Sequence, residues 1–291
     1  VTGMQVSVIT DELSADPETA LELAGELGLT KVEFRGVEQY RVGELPPYWE
    51  ERLPQLVARS GVRVVALSPG IFKAPFDAVV PEPFTILRWQ DRSEFDARRA
   101  LRKQLEAHLA EVLPRTLALS KALGTSLLVV FGVVRPEHAR GPCPREVVEF
   151  LAEAAARAET AGVTLALENE HICWADSGVN TARLVEKVGS PALKINWDPA
   201  NAFYSGETPF PDGYRAVREY VAHVHFKDAV RDPVSGETAY VVDGEIDWPG
   251  QLEALREDGY TGCLSIETHC RPKIQSVRRA LRRLQAMIGL P

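Results

Sequence analysis

The stretches Leu165-Ala-Leu-Glu168, Lys194-Ile-Asn-Trp-Asp198, His223-Val-His225 and Leu264-Ser-Ile-Glu267 decide the fold. Each is a short, mostly apolar run closed by Glu, Asp or His, with loop-forming residues after it. Short apolar runs bounded by turn signals read as buried strands. The ends of such strands are where a barrel or open α/β sheet displays its chemistry. Outward from these four, the pattern recurs and predicts eight strands, at residues 5–9, 31–34, 63–67, 126–131, 164–168, 193–198, 221–226 and 263–267. Most are rich in Val, Ile and Leu, as parallel strands covered on both faces should be.

Helical signals separate the strands. Asp16-Pro17 supplies an N-cap and a first-turn proline, and Leu21, Leu23, Ala24 and Leu27 follow before Gly28. Residues 145–161 place Val148, Leu151, Ala152 and Ala155 on one face, and residues 248–258 stop at Gly259. Gly61, Gly124 and Gly189 fit the same terminating role, because glycine tolerates the left-handed backbone that closes a helix. Pro114 is expected to break or kink the long stretch 95–123. Eight alternations predict an α/β fold, a single (β/α)8 TIM barrel domain over residues 1–291, with its active site at the C-terminal ends of the strands. No G-x-G-x-x-G or G-x-x-x-x-G-K-[ST] run follows a strand, so nucleotide-binding folds lack their usual anchor. Two loop-like stretches, 68–91 and 231–247, are expected to frame the mouth. The first carries Phe72, Phe76, Phe84 and Trp89.

The 291 residues carry a formal net charge of −8, with 45% hydrophobic and 25% charged residues, an ordinary globular composition. Nucleic-acid binders usually carry a basic stripe, so this balance counts against DNA or RNA as a partner. The longest apolar run, 127–134, falls far short of the roughly 20 residues that span a bilayer, so no membrane partner is expected. The first residues lead straight into a strand pattern, and Cys143, Cys173, Cys263 and Cys270 show no C-x-x-C spacing. A reduced cytoplasmic protein is the simplest reading. A homo-oligomer stays open.

Side chains alternate across a strand. Spacing of two therefore sets Asn196 beside Asp198, His223 beside His225, Ser265 and His269 beside Glu267, and Glu170 beside Glu168. Polar groups turned into the end of a barrel are costly unless they bind something. A satisfied strand-end residue accounts for any one of these; four strands in succession point to a shared site. Three oxygen donors and one nitrogen suit one divalent ion, Mn²⁺ or Mg²⁺ first, Zn²⁺ or Co²⁺ as alternatives. The lack of thiolates argues against structural zinc.

These residues resemble the xylose isomerase-like TIM barrels, the sugar phosphate isomerase/epimerase group that includes tagatose 3-epimerase, hydroxypyruvate isomerase and inosose dehydratase. The resemblance covers essentially the whole chain and is most specific in Ala166-Leu-Glu168-Asn, Asn196-Trp-Asp198-Pro-Ala-Asn201, His223-Val-His225-Phe-Lys227-Asp228 and Ser265-Ile-Glu267. Val32-Glu33-Phe-Arg35 looks like the second-strand Glu region. The resemblance implies Glu168, Asp198, His225 and Glu267 as metal ligands, with Glu168 and Glu267 as the catalytic proton-transfer pair. Asn201 stands where the epimerases have a substrate-binding His, which puts their particular substrates in doubt. Arg231 lies six residues past His225, where they carry Arg.

The other polar groups admit two readings each. Lys227 contacts a substrate oxygen or phosphate, or pairs with Asp228. His223 binds substrate or orients His225. Glu170 and His171 reach substrate or are solvated, and Glu33 and Arg35 form a structural ion pair. Phe72, Phe76, Trp174 and Phe203 wall a sugar pocket or simply pack. The expected function is a metal-dependent isomerase or epimerase acting on a small keto-sugar, polyol or sugar-derived substrate by proton abstraction through an enediolate. The alternatives are an inosose-type dehydratase, an endonuclease IV-like phosphodiesterase, and a non-catalytic metal- or sugar-binding barrel.

Overall fold

The computed structural model describes residues 3–73, 102–135 and 142–289. The apolar runs form eight parallel strands, β1 (Gln5–Ile9), β2 (Lys31–Phe34), β5 (Arg63–Leu67), β6 (Leu127–Phe131), β7 (Thr164–Glu168), β8 (Leu193–Trp197), β9 (Val221–Phe226) and β12 (Cys263–Ile266). They close into a barrel in the order β1-β12-β9-β8-β7-β6-β5-β2, with β2 paired back to β1. The predicted TIM barrel is the observed fold. Two antiparallel hairpins stand outside it, β3 (Gly36–Val37) with β4 (Tyr40–Arg41) and β10 (Asp228–Arg231) with β11 (Thr238–Val241).

Alternation sorts each strand into two environments. Val8, Val32, Phe34, Leu128, Val130, Leu165, Leu167, Ile195, Trp197, Val224, Phe226, Leu264 and Ile266 belong to the main apolar core, between barrel and helices. The intervening positions include buried Ser7, Glu33, Glu168, Asn196, His223, His225 and Ser265. Val129 and Phe131 form a separate small apolar cluster with Cys173. The barrel interior is therefore largely polar on the β7–β12 side.

Asp16 caps the helix Pro17–Glu26 as expected, accepting from the Thr19 amide at 2.8 Å. The helix Arg145–Thr160 buries Val147, Leu151, Ala154, Ala155 and Ala158. Val148 and Ala152 are only partly buried, so the buried stripe is rotated from the expected one. The observed set follows the spacing i, i+4, i+7, i+8, i+11 of a helical face. Pro114 does not break its helix: residues 102–123 are helical throughout. A wide π-turn, His108–Val112, precedes the proline and places it in the first turn of the α-helix Leu113–Leu123, where its missing N–H is tolerated. The stretch 231–247 is not plain loop, since it contains β11. Of the other predicted mouth stretch, Phe76, Phe84 and Trp89 lie outside the described residues. Among the described residues no helix is long and apolar enough to cross a membrane.

Among the described residues, four non-glycine residues have left-handed backbone: Glu38, Phe72, Val133 and His269. They lie in segments that follow the C-terminal ends of β2, β5, β6 and β12. A β-branched residue such as Val133 enters this region only at a cost. Local strain thus gathers at the barrel mouth, as it does at sites where geometry is held for a purpose.

Candidate metal centre

Glu168 ends β7, Asp198 and Glu267 stand one residue beyond β8 and β12, and His225 is the fifth residue of β9. In the parallel register Glu168 pairs with Asn196, Asn196 with His223, and His225 with Ser265, so Asp198 and His225 are level while Glu168 stands two residues before them and Glu267 two residues beyond, a stagger that follows the ligands around the tilted barrel strands. One ligand atom from each lies within 4.8 Å of the others, and all four residues are buried. Ligand bonds of roughly 2.0–2.6 Å set atoms on opposite sides of an ion up to about 5 Å apart, so the spacing fits a single divalent cation. His225 Nδ1 faces Glu267 Oε2 at 3.3 Å, Glu168 Oε1 at 3.5 Å and Asp198 Oδ2 at 4.0 Å. It has no hydrogen-bond partner although it is buried. One ring nitrogen converging with three carboxylate oxygens is the donor set of a hard or borderline cation.

The neighbours fix each ligand. Asp198 Oδ1 accepts from the Asn201 amide at 2.9 Å and so caps the short helix Pro199–Tyr204, while Oδ2 faces the cluster. Asn169 clamps the Asp198 backbone, accepting from its N–H at 2.8 Å and donating to its carbonyl at 2.7 Å. Asn201 Nδ2 donates to Glu168 Oε1 at 3.0 Å, and its Oδ1 accepts from the Tyr240 hydroxyl at 2.7 Å. Lys227 Nζ lies 2.7 Å from Asp198 Oδ2 and 2.9 Å from Glu267 Oε2, above the Tyr240 ring. Arg35 grips Glu267 Oε1 from the other side and is itself held by Asp11 and Glu12.

Charge follows from these contacts. Burial pushes the Glu267 carboxyl up, but Lys227, His269 and His225 outweigh it and hold it well below the usual carboxylate range. Burial, with Glu168 and Glu267 nearby, drives Asp198 up to about 6 against the pull of Lys227. Burial disfavours the His225 imidazolium, yet Glu33, Glu168 and Glu267 raise it well above the ordinary histidine value. The cluster therefore draws positive charge to itself, which a divalent cation would supply.

The sequence matches the xylose isomerase-like TIM barrel family over residues 21–287. The chain belongs to that family. No curated protein matches it. Solved structures of the same fold include the probable 3-DHS dehydratase AsbF of Bacillus anthracis, at 16% identity and TM-score 0.70, covering 97% of this chain and 99% of that one. A D-allulose 3-epimerase from Methylomonas sp., in complex with D-allulose, is 15% identical with TM-score 0.68, covering 99% and 98%. The IolI protein with a bound zinc atom is 16% identical with TM-score 0.70, covering 98% of each chain. Family membership and the buried four-residue cluster together make this a xylose isomerase-like barrel with a metal-binding constellation.

Other residues of this family member sit where sequence alone did not place them. Lys227 turns to Asp198 and Glu267, while Asp228 pairs with Arg283 at 2.6 Å. The expected Glu33–Arg35 pair does not form: Glu33, deeper in the barrel, meets His223 and His225, whereas Arg35 lies beyond β2 and reaches Glu267. Glu170 is buried against Lys73 at 2.6 Å and His171 at 2.9 Å, so it is not solvated. Arg231 is exposed, donating to the Phe203 carbonyl at 3.0 Å and lying over the Phe203 ring. Phe72 is buried against His108 and Phe150 and packs in the core. Burial pushes the Cys173 thiol up, which keeps it protonated. Sequence reading missed Glu12, Lys73, Asn169 and Tyr240. Of these only Asn169 carried a signal, adjacency to Glu168.

Proposed function

We propose that this chain is a divalent-metal-dependent isomerase or epimerase of small keto-sugars, polyols or sugar-derived acids, working as one barrel domain. The observation that carries the reading is the buried convergence of His225 Nδ1 with carboxylate oxygens of Glu168, Asp198 and Glu267 at the strand ends. Glu168, Asp198, His225 and Glu267 would hold the ion, Mn²⁺ or Mg²⁺ by donor type, with Zn²⁺ as in the IolI structure a further choice. When bound, it supplies Lewis acidity that favours negative charge on a substrate oxygen.

The side chains do the rest. Glu168 and Glu267, from strands on different sides of the cluster, take a proton from a substrate carbon beside a carbonyl and return it on the same or the neighbouring carbon. Asn201 holds Glu168 through Oε1, which fixes the direction in which that carboxylate reaches. Lys227 contributes an ammonium beside Asp198 and Glu267 and binds a substrate oxygen. Asn201 has both amide ends engaged, by Glu168 and Tyr240, so it tunes the site and meets substrate only through a neutral hydrogen bond.

A dehydratase is the second reading, favoured by Lys227: a buried ammonium next to a base is placed to protonate a departing β-hydroxyl. A multi-metal phosphodiesterase has less support. Among the described residues the ligand groups are two, and they share His225. The test is a screen of keto-sugars and inososes with Mn²⁺ in heavy water. Deuterium at carbon without net water loss supports isomerase or epimerase; loss of water supports dehydratase; no exchange with any substrate returns the chain to a binding role.

A further inference from the structure

Glu33 lies in β2 with 0% of its surface exposed. A carboxylate withdrawn that far from water is costly unless donors meet it. Two imidazoles meet it. His223 Nε2 lies 2.9 Å from Oε2, and His225 Nε2 lies 3.3 Å from Oε1. The His225 ring thus spans two environments, Nε2 toward Glu33 and Nδ1 toward Glu168, Asp198 and Glu267.

We propose that Glu33 is a positioning residue that accepts the Nε2–H of His225 and thereby presents Nδ1, with its lone pair, as the ligating nitrogen of the metal centre. The inference rests on the metal-site reading above and extends it to a residue that touches neither ion nor substrate. An ionised carboxylate only accepts hydrogen bonds, so an imidazole facing it carries hydrogen on that nitrogen. A neutral imidazole protonated at Nε2 keeps its lone pair on Nδ1. Ring nitrogens of metal-binding histidines are commonly fixed in this way by a carboxylate behind them.

The barrel is built to allow the contact. Between β2 and β9 in the sheet order stand β1 and β12. In register with His225 they carry Ser265 and, paired with it, Ser7, two small residues hydrogen-bonded to each other at 2.6 Å; Glu33 itself stands level with Ile9, two residues beyond Ser7. Short side chains there leave room for Glu33 to reach across to β9. Ser265 Oγ also lies 3.1 Å from His223 Nε2, so His223 is braced on the same side. His223 then acts as a second donor to Glu33 and holds that carboxylate in place.

Glu33, His223 and His225 also gather at ligand distance from one another. An ion held there together with one in the first cluster would require both nitrogens of His225 as ligands, hence a ring stripped of both protons. The positioning role accounts for both ring contacts without that demand.

The test compares wild type with Glu33→Gln and with Thr116→Val, a change at a buried polar residue in the helix Leu113–Leu123 whose hydroxyl donates to the Val112 carbonyl. Titration calorimetry with Mn²⁺ is expected to give one ion per chain in all three, with affinity about 10–100-fold weaker in Glu33→Gln and unchanged in Thr116→Val. Imidazole ¹H–¹⁵N NMR of the Zn²⁺-loaded wild type is expected to show His225 with hydrogen on Nε2 and metal on Nδ1. Unchanged affinity in Glu33→Gln, an equal loss in Thr116→Val, or metal on Nε2 of His225 would overturn the proposal. Two ions in wild type and one in Glu33→Gln would also overturn it, making Glu33 a ligand. If Glu33→Gln does not fold, the wild-type NMR decides. A wild type that binds no ion at all refutes the underlying metal-site reading instead.

Discussion

Glu168 and Glu267 occupy equivalent ends of β7 and β12 but unequal surroundings. Glu267 is met by Lys227, Arg35, His269 and His225, whereas Glu168 is met by Asn201 and His225. Glu→Gln at either position keeps shape and removes the proton acceptor. At saturating Mn²⁺, turnover on the substrate found by isotope exchange is expected to fall on the order of 10²–10⁴-fold, with circular dichroism unchanged. Full turnover in both variants would refute the proton-transfer assignment. His108 offers a separate test of stability. Its Nδ1 accepts from the Phe72 amide at 2.7 Å, and burial lowers it from the ordinary 6.5 to about 4. A lowered value in the folded state means the unfolded chain binds the proton first. Stability is therefore complete above about pH 6.5 and is lost as pH falls toward 4, by about 3 kcal/mol in all. Urea unfolding across this range should show the slope, and His108→Gln should flatten it. The four ligand candidates were legible because each closes an apolar run and period-two alternation places them on one side. Lys73, Glu12 and Tyr240 were not, because no local pattern says which distant loop residue folds back over the mouth. Glu33 and Arg35 misled for a related reason. Spacing of two predicts a shared face but not depth, and one sits inside the barrel while the other extends past its rim.

At the level of elements, the hairpin β10–β11 was the main surprise. Polar, turn-rich residues after β9 read as loop, yet Asp228 ties the hairpin base down by accepting from Ala229 N at 2.8 Å and Ile246 N at 3.1 Å. The hairpin carries Tyr240 to the mouth, where its ring neighbours Tyr204, His269 and the Lys227 ammonium. Gly244 closes the base: a Cβ there would overlap the Ala229 carbonyl oxygen and lie 2.5 Å from Asp228 Oδ1. Gly244→Ala is expected to cost about 1–3 kcal/mol, as overpacking does, and to lower turnover by displacing Tyr240. Thermal denaturation and steady-state kinetics check the two effects, and a fully stable, fully active variant would contradict this account of the hairpin. The π-turn before Pro114 shows the opposite lesson. The proline was visible, but the helix could shift register around it, a choice made by packing of Leu109, Val112 and Leu113 in the core.

For the whole molecule, eight strands and their order were legible because strand–helix alternation leaves few closed arrangements. The polar interior was legible only in part: period two set Asn196, His223 and Ser265 on the ligand side, but nothing local tells that Glu33 meets the two histidines across the barrel. One prediction belongs here. Binding to the folded state alone stabilises it, by about 2.7 kcal/mol at a hundredfold excess over Kd. Mn²⁺ should raise Tm by several degrees and a chelator should reverse it in scanning calorimetry; a Tm indifferent to both would count against the metal centre. The strand order also has a bearing on how the protein is made. β12, last of the strands in chain order, inserts between β1 and β9 and brings Glu267 with it. Until that strand docks, three ligands face an open seam and Ser7 lacks Ser265. A nascent chain emerging from the ribosome therefore has no complete four-residue cluster before ring closure, so an ion bound there would enter as a late seal on assembly and not as a template for it.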